Sequence, residues 1–149
     1  MPKAFPISNG MKIVPQLDLK AEYAEIKHLI KKRVERFFRS GRYILGPEVE
    51  EFERNFAKFI GTKYAVGVAS GTDAVLLPLM AFNLKKGDEV ITTPFTFIAT
   101  ASSIARLGAT PVFVDIEPDT YNINPDLIKR SITRKTRGIV IVHLYGNPC

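Results

Sequence analysis

The chain carries 149 residues, 46% hydrophobic and 24% charged, and its 21 Lys and Arg against 15 Asp and Glu leave a net charge of +6. That length suits one domain able to bury a core, and that composition excludes a disordered or fibrous chain. The single cysteine, Cys149, excludes an intrachain disulfide and a cysteine-based metal centre and suits a reducing, cytoplasmic location; no run nears the roughly 18 apolar residues of a membrane span, and residues 1–10 lack the apolar stretch of an export signal.

From Leu19 the apolar residues Tyr23, Ile26, Ile30, Val34 and Phe37 recur every three or four positions, which predicts an amphipathic helix ending at Ser40-Gly41. Lys27, Lys31, Lys32, Arg33, Arg36, Arg39 and Arg42 interleave with that stripe. They read as a solvated helix face that also draws in anions, not as a nucleic-acid module. A second helix opens at Gly46-Pro47, where proline suits the first helical position and Glu48, Glu50 and Glu51 complement the positive end of the helix dipole. Val49, Phe52, Phe56 and Phe59 form its expected buried face, and Gly61 its cap. Residues 64–69 are apolar and β-prone and read as the first strand.

Ser70-Gly71-Thr72-Asp73 then leads into a helix over 74–82, in which Pro78 predicts a kink or a shortened first turn, since an interior proline costs about 3 kcal/mol. A strand over 89–93, a helix over 96–107 stopped by Gly108 and a strand over 110–116 follow. Asn124-Pro125 opens a helix through Ile132, and 137–144 is the fourth strand, with an unbroken apolar core at 139–142. Strands separated by helical crossovers predict an α/β domain, a mainly parallel sheet with flanking helices, entered through two N-terminal helices in 1–61 and holding its four strands in 62–149.

In such a sheet, ligands gather at the C-terminal ends of the strands. Three segments belong there. Ser70-Gly71-Thr72 could bind a phosphate through backbone N–H groups at a helix N-terminus, or Ser70 or Thr72 could simply cap the helix. Phe95 and Phe97 flank the next turn, where a ring could stack on a planar cofactor; core packing is the reading their local sequence favours. His143, ahead of Tyr145-Gly146, could relay protons or be structural. No cluster of metal-ligand spacing is present.

The order of the segments carries more than any one of them. Gly41-Arg42-Tyr43-Ile44-Leu45-Gly46-Pro47-Glu48-Val49-Glu50-Glu51-Phe52-Glu53 resembles the opening signature of the DegT/DnrJ/StrS family of sugar-nucleotide aminotransferases. Val68-Ala69-Ser70-Gly71-Thr72-Asp73-Ala74, Thr93-Pro94-Phe95-Thr96-Phe97, Pro111-Val112-Phe113-Val114-Asp115 and His143-Leu144-Tyr145-Gly146 fall in blocks that resemble its following blocks in the same order. The resemblance implies the N-terminal part of the large domain of a fold-type-I pyridoxal-phosphate enzyme, usually a homodimer, which moves an amino group from an amino acid, commonly glutamate, to a keto sugar nucleotide. It implies that Gly71 and Thr72 bind the phosphate of pyridoxal 5'-phosphate and that Phe97, more than Phe95, stacks on its ring. Tyr43, His143 and Tyr145 would line or border the sugar site.

The same resemblance puts the Schiff-base lysine and the carboxylate facing the pyridine nitrogen beyond Cys149. None of Lys63, Lys85, Lys86, Lys129 and Lys135 reads as a substitute, so no catalytic residue is expected in these 149 residues, nor stable covalent cofactor binding by them alone. The family also includes sugar dehydratases in which histidine replaces that lysine. The alternative from another class is a non-catalytic remnant or split-gene product that pairs with another chain. No nucleic-acid or membrane partner is expected.

Overall fold

The computed structural model describes Pro15 and residues 17–149. The expectation made for residues 1–10 lies outside them. The fold separates into two compact units, Met1–Gly67 and Val68–Cys149.

The first unit holds helices α1 (Leu19–Ser40) and α2 (Pro47–Ile60). The Asp18 side chain caps α1 by accepting from the N–H groups of Lys20 and Ala21, and Gly41 closes it in the left-handed conformation (φ 64°). Gly61 does the same for α2 (φ 78°). Charge joins the two helices: the Arg33 guanidinium lies 2.7 Å from Glu51 Oε1, and that of Arg36 spans Glu48 Oε1 at 3.1 Å and Glu51 Oε2 at 2.7 Å. The expected buried face of α2 is corrected here. Phe52, Phe56 and Phe59 are exposed, Val49 is only half-buried, and Ala57 is the buried residue. Among the described residues, Phe52 and Phe56 stack on each other, ring centroids 5.6 Å apart, and stay exposed.

Residues 64–69 are corrected as well. They enter no strand, and the N–H of Gly67 donates instead to Glu53 Oε1 at 2.7 Å. A strand exists only where a neighbour completes its ladder, and β-prone residues do not supply one. The described chain therefore has three sheet strands where four were expected.

The second unit is built on β1 (Glu89–Thr92), β2 (Thr110–Phe113) and β3 (Thr136–Ile139), all parallel, in the order β2-β1-β3. Helices α3 (Gly71–Ala81), α4 (Ala99–Arg106) and α5 (Pro125–Ser131) accompany them. Val90 and Ile91 are neighbours in the central strand and so face opposite sides of the sheet. Val90 packs with Leu79 of α3, Ile104 of α4 and Ala109, and Ile91 packs with Val114 and Ile123 under Leu127 and Ile128 of α5. Both are essentially fully buried, which stabilises the fold by about 1.5–3 kcal/mol for each side chain. The α/β layering read from the sequence is thus the observed one. Helix α3 runs through Pro78 to Ala81 without a break and keeps its first turn.

The last strand departs from its expected span. β3 stops at Ile139, short of most of the apolar run 139–142, and sheet contact continues only through Val140, whose N–H donates to Ile91 O at 2.8 Å and whose carbonyl accepts from Thr92 Oγ1 at 2.9 Å. The register also shifts between Glu89 and Val90, leaving Arg137 without a partner.

Candidate cofactor and substrate site

Helix α3 begins with a local exchange of hydrogen bonds. Ser70, in extended backbone, accepts the Asp73 N–H on its Oγ at 3.2 Å and donates that hydroxyl to Asp73 Oδ2 at 2.9 Å. Of the two readings of this turn, the capping role of Ser70 is the one visible in the fold. It leaves Gly71 and Thr72 as the first two helical residues, whose N–H groups have no preceding turn to accept them. Those two N–H groups, the Thr72 hydroxyl and the positive end of α3 make a donor set suited to a phosphate dianion. A Cβ built on Gly71 meets nothing within 4 Å, so the space over this turn is open to a ligand.

The turn after β1 is held at both ends. Thr93, 2% exposed, accepts the Phe95 N–H on its Oγ1 at 3.1 Å, and the Thr96 and Thr100 hydroxyls share a hydrogen bond of 2.9 Å. The two phenylalanines of this turn then differ in surroundings. Phe95 lies against Tyr121, with ring centroids 5.8 Å apart and planes 28° from parallel. Among the described residues Phe97 takes part in no aromatic pair, and it is 73% exposed.

Tyr121 links this turn to the segment after β3. Its ring meets Tyr145 edge-on at 6.4 Å, and both tyrosines sit at positive φ, 58° and 55°. For non-glycine residues that is a costly conformation, held in place by neighbours. Those neighbours are identifiable. Asn122, 9% exposed, donates from Nδ2 to Pro148 O at 2.9 Å, and Asn147 donates from Nδ2 to Thr120 O at 3.1 Å. His143 accepts the Cys149 N–H on Nδ1 at 2.9 Å, which closes the same segment on itself. Sequence reading left His143 without a partner because Cys149 gives no sign of turning back.

Gly71, Thr72, Phe97, His143 and Tyr145 thus belong to the second unit, and the aromatic chain Phe95–Tyr121–Tyr145 brings three of its connecting segments together. Tyr43 belongs to the first unit, where it packs beside Phe37 and Phe38 and donates its hydroxyl to Phe38 O at 3.3 Å. Sequence reading missed Thr93, Tyr121 and Asn122. Only the Thr-Pro turn hinted at the first, and the other two act through contacts far apart in the chain. Among the described residues, no helix is long and apolar enough to cross a membrane, and no group of three or more His, Cys, Asp or Glu is placed to hold a metal ion.

The chain is similar to known proteins in sequence and in fold. Residues 24–149 match the model of the DegT/DnrJ/EryC1/StrS aminotransferase family, and the chain belongs to that family. It is 50% identical over 130 residues to UDP-2-acetamido-2-deoxy-3-oxo-D-glucuronate aminotransferase of Pseudomonas aeruginosa, a match covering 87% of this chain and 36% of the relative. To dTDP-3-amino-3,6-dideoxy-alpha-D-galactopyranose transaminase of Aneurinibacillus thermoaerophilus it is 44% identical over 137 residues, covering 92% and 38%. The crystal structure of DesV from S. venezuelae, in complex with a ketimine intermediate, superposes with a TM-score of 0.88 at 45% identity over 91% of this chain and 37% of that one. NtdA from Bacillus subtilis, with bound cofactor PMP, does so with a TM-score of 0.82 at 34% identity over 93% and 32%. The chain therefore spans about a third of the length of the relatives it matches, and its fold is part of the α/β fold of these aminotransferases.

Proposed function

We propose that this chain is the cofactor-cradling N-terminal part of a pyridoxal-phosphate-dependent aminotransferase that moves an amino group from an amino acid, glutamate in the first instance, to a keto group on a nucleotide-linked sugar. The observation that carries the reading is the pairing, within one unit, of an open helix N-terminus at Gly71 and Thr72 with an exposed, unstacked ring at Phe97. A phosphate and a flat aromatic ring are the two ends of the cofactor, and these are the two kinds of group that would hold them.

Bound pyridoxal phosphate supplies the electron sink that makes the proton beside the amino group acidic. This chain's residues do the holding. The N–H groups of Gly71 and Thr72 and the Thr72 hydroxyl bind the phosphate, and the helix dipole favours its negative charge. The ring of Phe97 covers one face of the pyridine and keeps water from it. His143 and Tyr145 border the sugar, as does Tyr43 on the family pattern alone. The lysine that moves the proton is assigned to sequence beyond Cys149. We assign the working protein to the cytoplasm as a homodimer; a single cysteine in 149 residues suits that compartment.

The test uses the protein as its cell makes it, mixed with pyridoxal phosphate and then with glutamate. The expected outcome is an absorption band of bound cofactor that shifts on adding glutamate, with release of one equivalent of 2-oxoglutarate per site. A protein that binds pyridoxal phosphate no more tightly than free lysine does, and releases no oxo acid, would overturn the reading. For the 149 residues alone, no band that survives dialysis is expected.

A further inference from the structure

Phe95 and Phe97 stand two residues apart in one turn, yet one ring is committed and the other is not. The turn itself explains the difference. Thr93 is the last residue before it, buried at 2% exposure beside the central strand, and its Oγ1 accepts the N–H of Phe95. A hydroxyl that bonds the N–H two residues on fixes a local turn, and here it does so on the rigid end of the most buried strand. Pro94 follows, with its φ set by its ring, and the Thr96 N–H returns to Pro94 O at 3.0 Å. Beyond the turn, the Thr100 N–H donates to Phe97 O at 3.1 Å, tying the Phe97 backbone to α4.

From this geometry we propose that Thr93 is a positioning residue for Phe97, and that the Phe95–Tyr121 contact is its counterpart on the side-chain level. Thr93 sets the path of the backbone at Phe95, and the stack on Tyr121 commits the Phe95 ring to that neighbour. Phe97 is then the aromatic residue the turn presents. Tyr121, whose ring meets Phe95, sits at positive φ, a conformation kept only where neighbours hold it. The inference rests on the reading of Phe97 as the ring that covers the cofactor.

The experiment measures the dissociation constant of pyridoxal phosphate for the whole protein by absorption or fluorescence titration, with apo-protein melting recorded alongside. Thr93→Val keeps the shape and removes the acceptor; it is expected to weaken cofactor binding about three- to tenfold, the effect of losing one hydrogen bond from the arrangement. Thr93→Ser keeps the acceptor and is expected to restore affinity. The decisive comparison repeats Thr93→Val in a Phe97→Leu background. If Thr93 acts through Phe97, its effect on affinity largely disappears there.

Each outcome bears on a separate statement. Phe97→Leu that leaves affinity unchanged overturns the cofactor role of Phe97 and this inference with it. Phe97→Leu that weakens binding while Thr93→Val does not overturns the inference alone. A Thr93→Val effect that persists undiminished in the Phe97→Leu background, or that Thr93→Ser shares in full, makes Thr93 a packing residue and also overturns it.

Discussion

Gly46 and Gly71 both open helices, and the fold asks different things of them. Gly46 has a φ of −84°, which any residue adopts, but a Cβ built on it would run into the carbonyl oxygen of Arg42. That oxygen is backbone and cannot swing aside. Gly46→Ala is therefore expected to destabilise the protein by about 1–3 kcal/mol, the usual cost of forcing an extra carbon into a tight place, read as a lower midpoint in urea unfolding. Gly71 has open space around its missing Cβ, so Gly71→Ala is expected to leave unfolding unchanged while weakening the binding of pyridoxal phosphate. One glycine is required by the chain's own backbone and the other by the approach of a ligand. Equal losses of stability for the two would remove the distinction. Sequence reading selected Gly71 from its motif and passed over the close approach at Gly46, since Arg42 comes near only once the turn is folded.

Helices α1 and α2 illustrate an element-level dependence on pH. Hydrogen bonds from Arg36 and then Arg33 hold the Glu51 carboxyl down to about 2, from an ordinary value of 4.5, and the bonds Arg36 donates to Glu51 and then Glu48 raise Arg36 above its usual value. Glu51 binds its proton more weakly folded than unfolded, so its contribution is fully present above pH 4.5 and is lost as pH falls toward 2. The groups are solvated, and salt weakens the pairing further. Glu51→Gln is expected to flatten the decline of helix signal between pH 4.5 and 2 relative to wild type, most clearly at low ionic strength. A parallel decline in both proteins would show that Glu51 does not couple the helices. The helices themselves were legible because most of their ends are written in local chemistry: Gly41, Pro47, Gly61, Ser70 and Asn124 act where the sequence put them, whereas the Asp18 cap was passed over. The strands were less so. The run 64–69 is apolar and β-prone, as β1 is, but only β1 has neighbours on both sides, and pairing is not encoded in the run itself. The site divides likewise: Gly71, Thr72 and Phe97 were reached through the ordered family blocks, since their own segments read equally as a helix cap and core packing, whereas the Phe95–Tyr121 stack and the Asn122 clasp depend on loops meeting.

At the scale of the molecule, the described sheet has two free edges, and they are not alike. Along β2 and the residue after it, Thr110 and Val114 send their N–H groups toward β1, at 2.8 Å to Asp88 O just before it and to Thr92 O at its end, so by alternation Pro111 and Phe113 face outward. Pro111 has no N–H to offer there, which blunts that edge as edge prolines do. In β3 and the residues after it, Val140 faces β1, and Ile139 and Ile141 face outward with about half their surface exposed. Beside them an apolar groove of about 370 Å³ runs between α3 and this edge, lined by Val75, Pro78, Leu79, Phe82 and Ile139. An open strand edge next to uncovered apolar surface favours pairing with another chain. The 149-residue chain, made alone, is therefore expected to associate with itself through the β3 edge, with a sedimentation coefficient that rises with concentration. Carrying Ile139→Lys and Ile141→Lys together should return it toward monomer, since charge on an edge opposes pairing, while Phe113→Lys on the β2 edge should not. A single concentration-independent monomer with a cooperative melt in the unmodified chain would refute the expectation, and rescue by Phe113→Lys alone would move the association to the other edge.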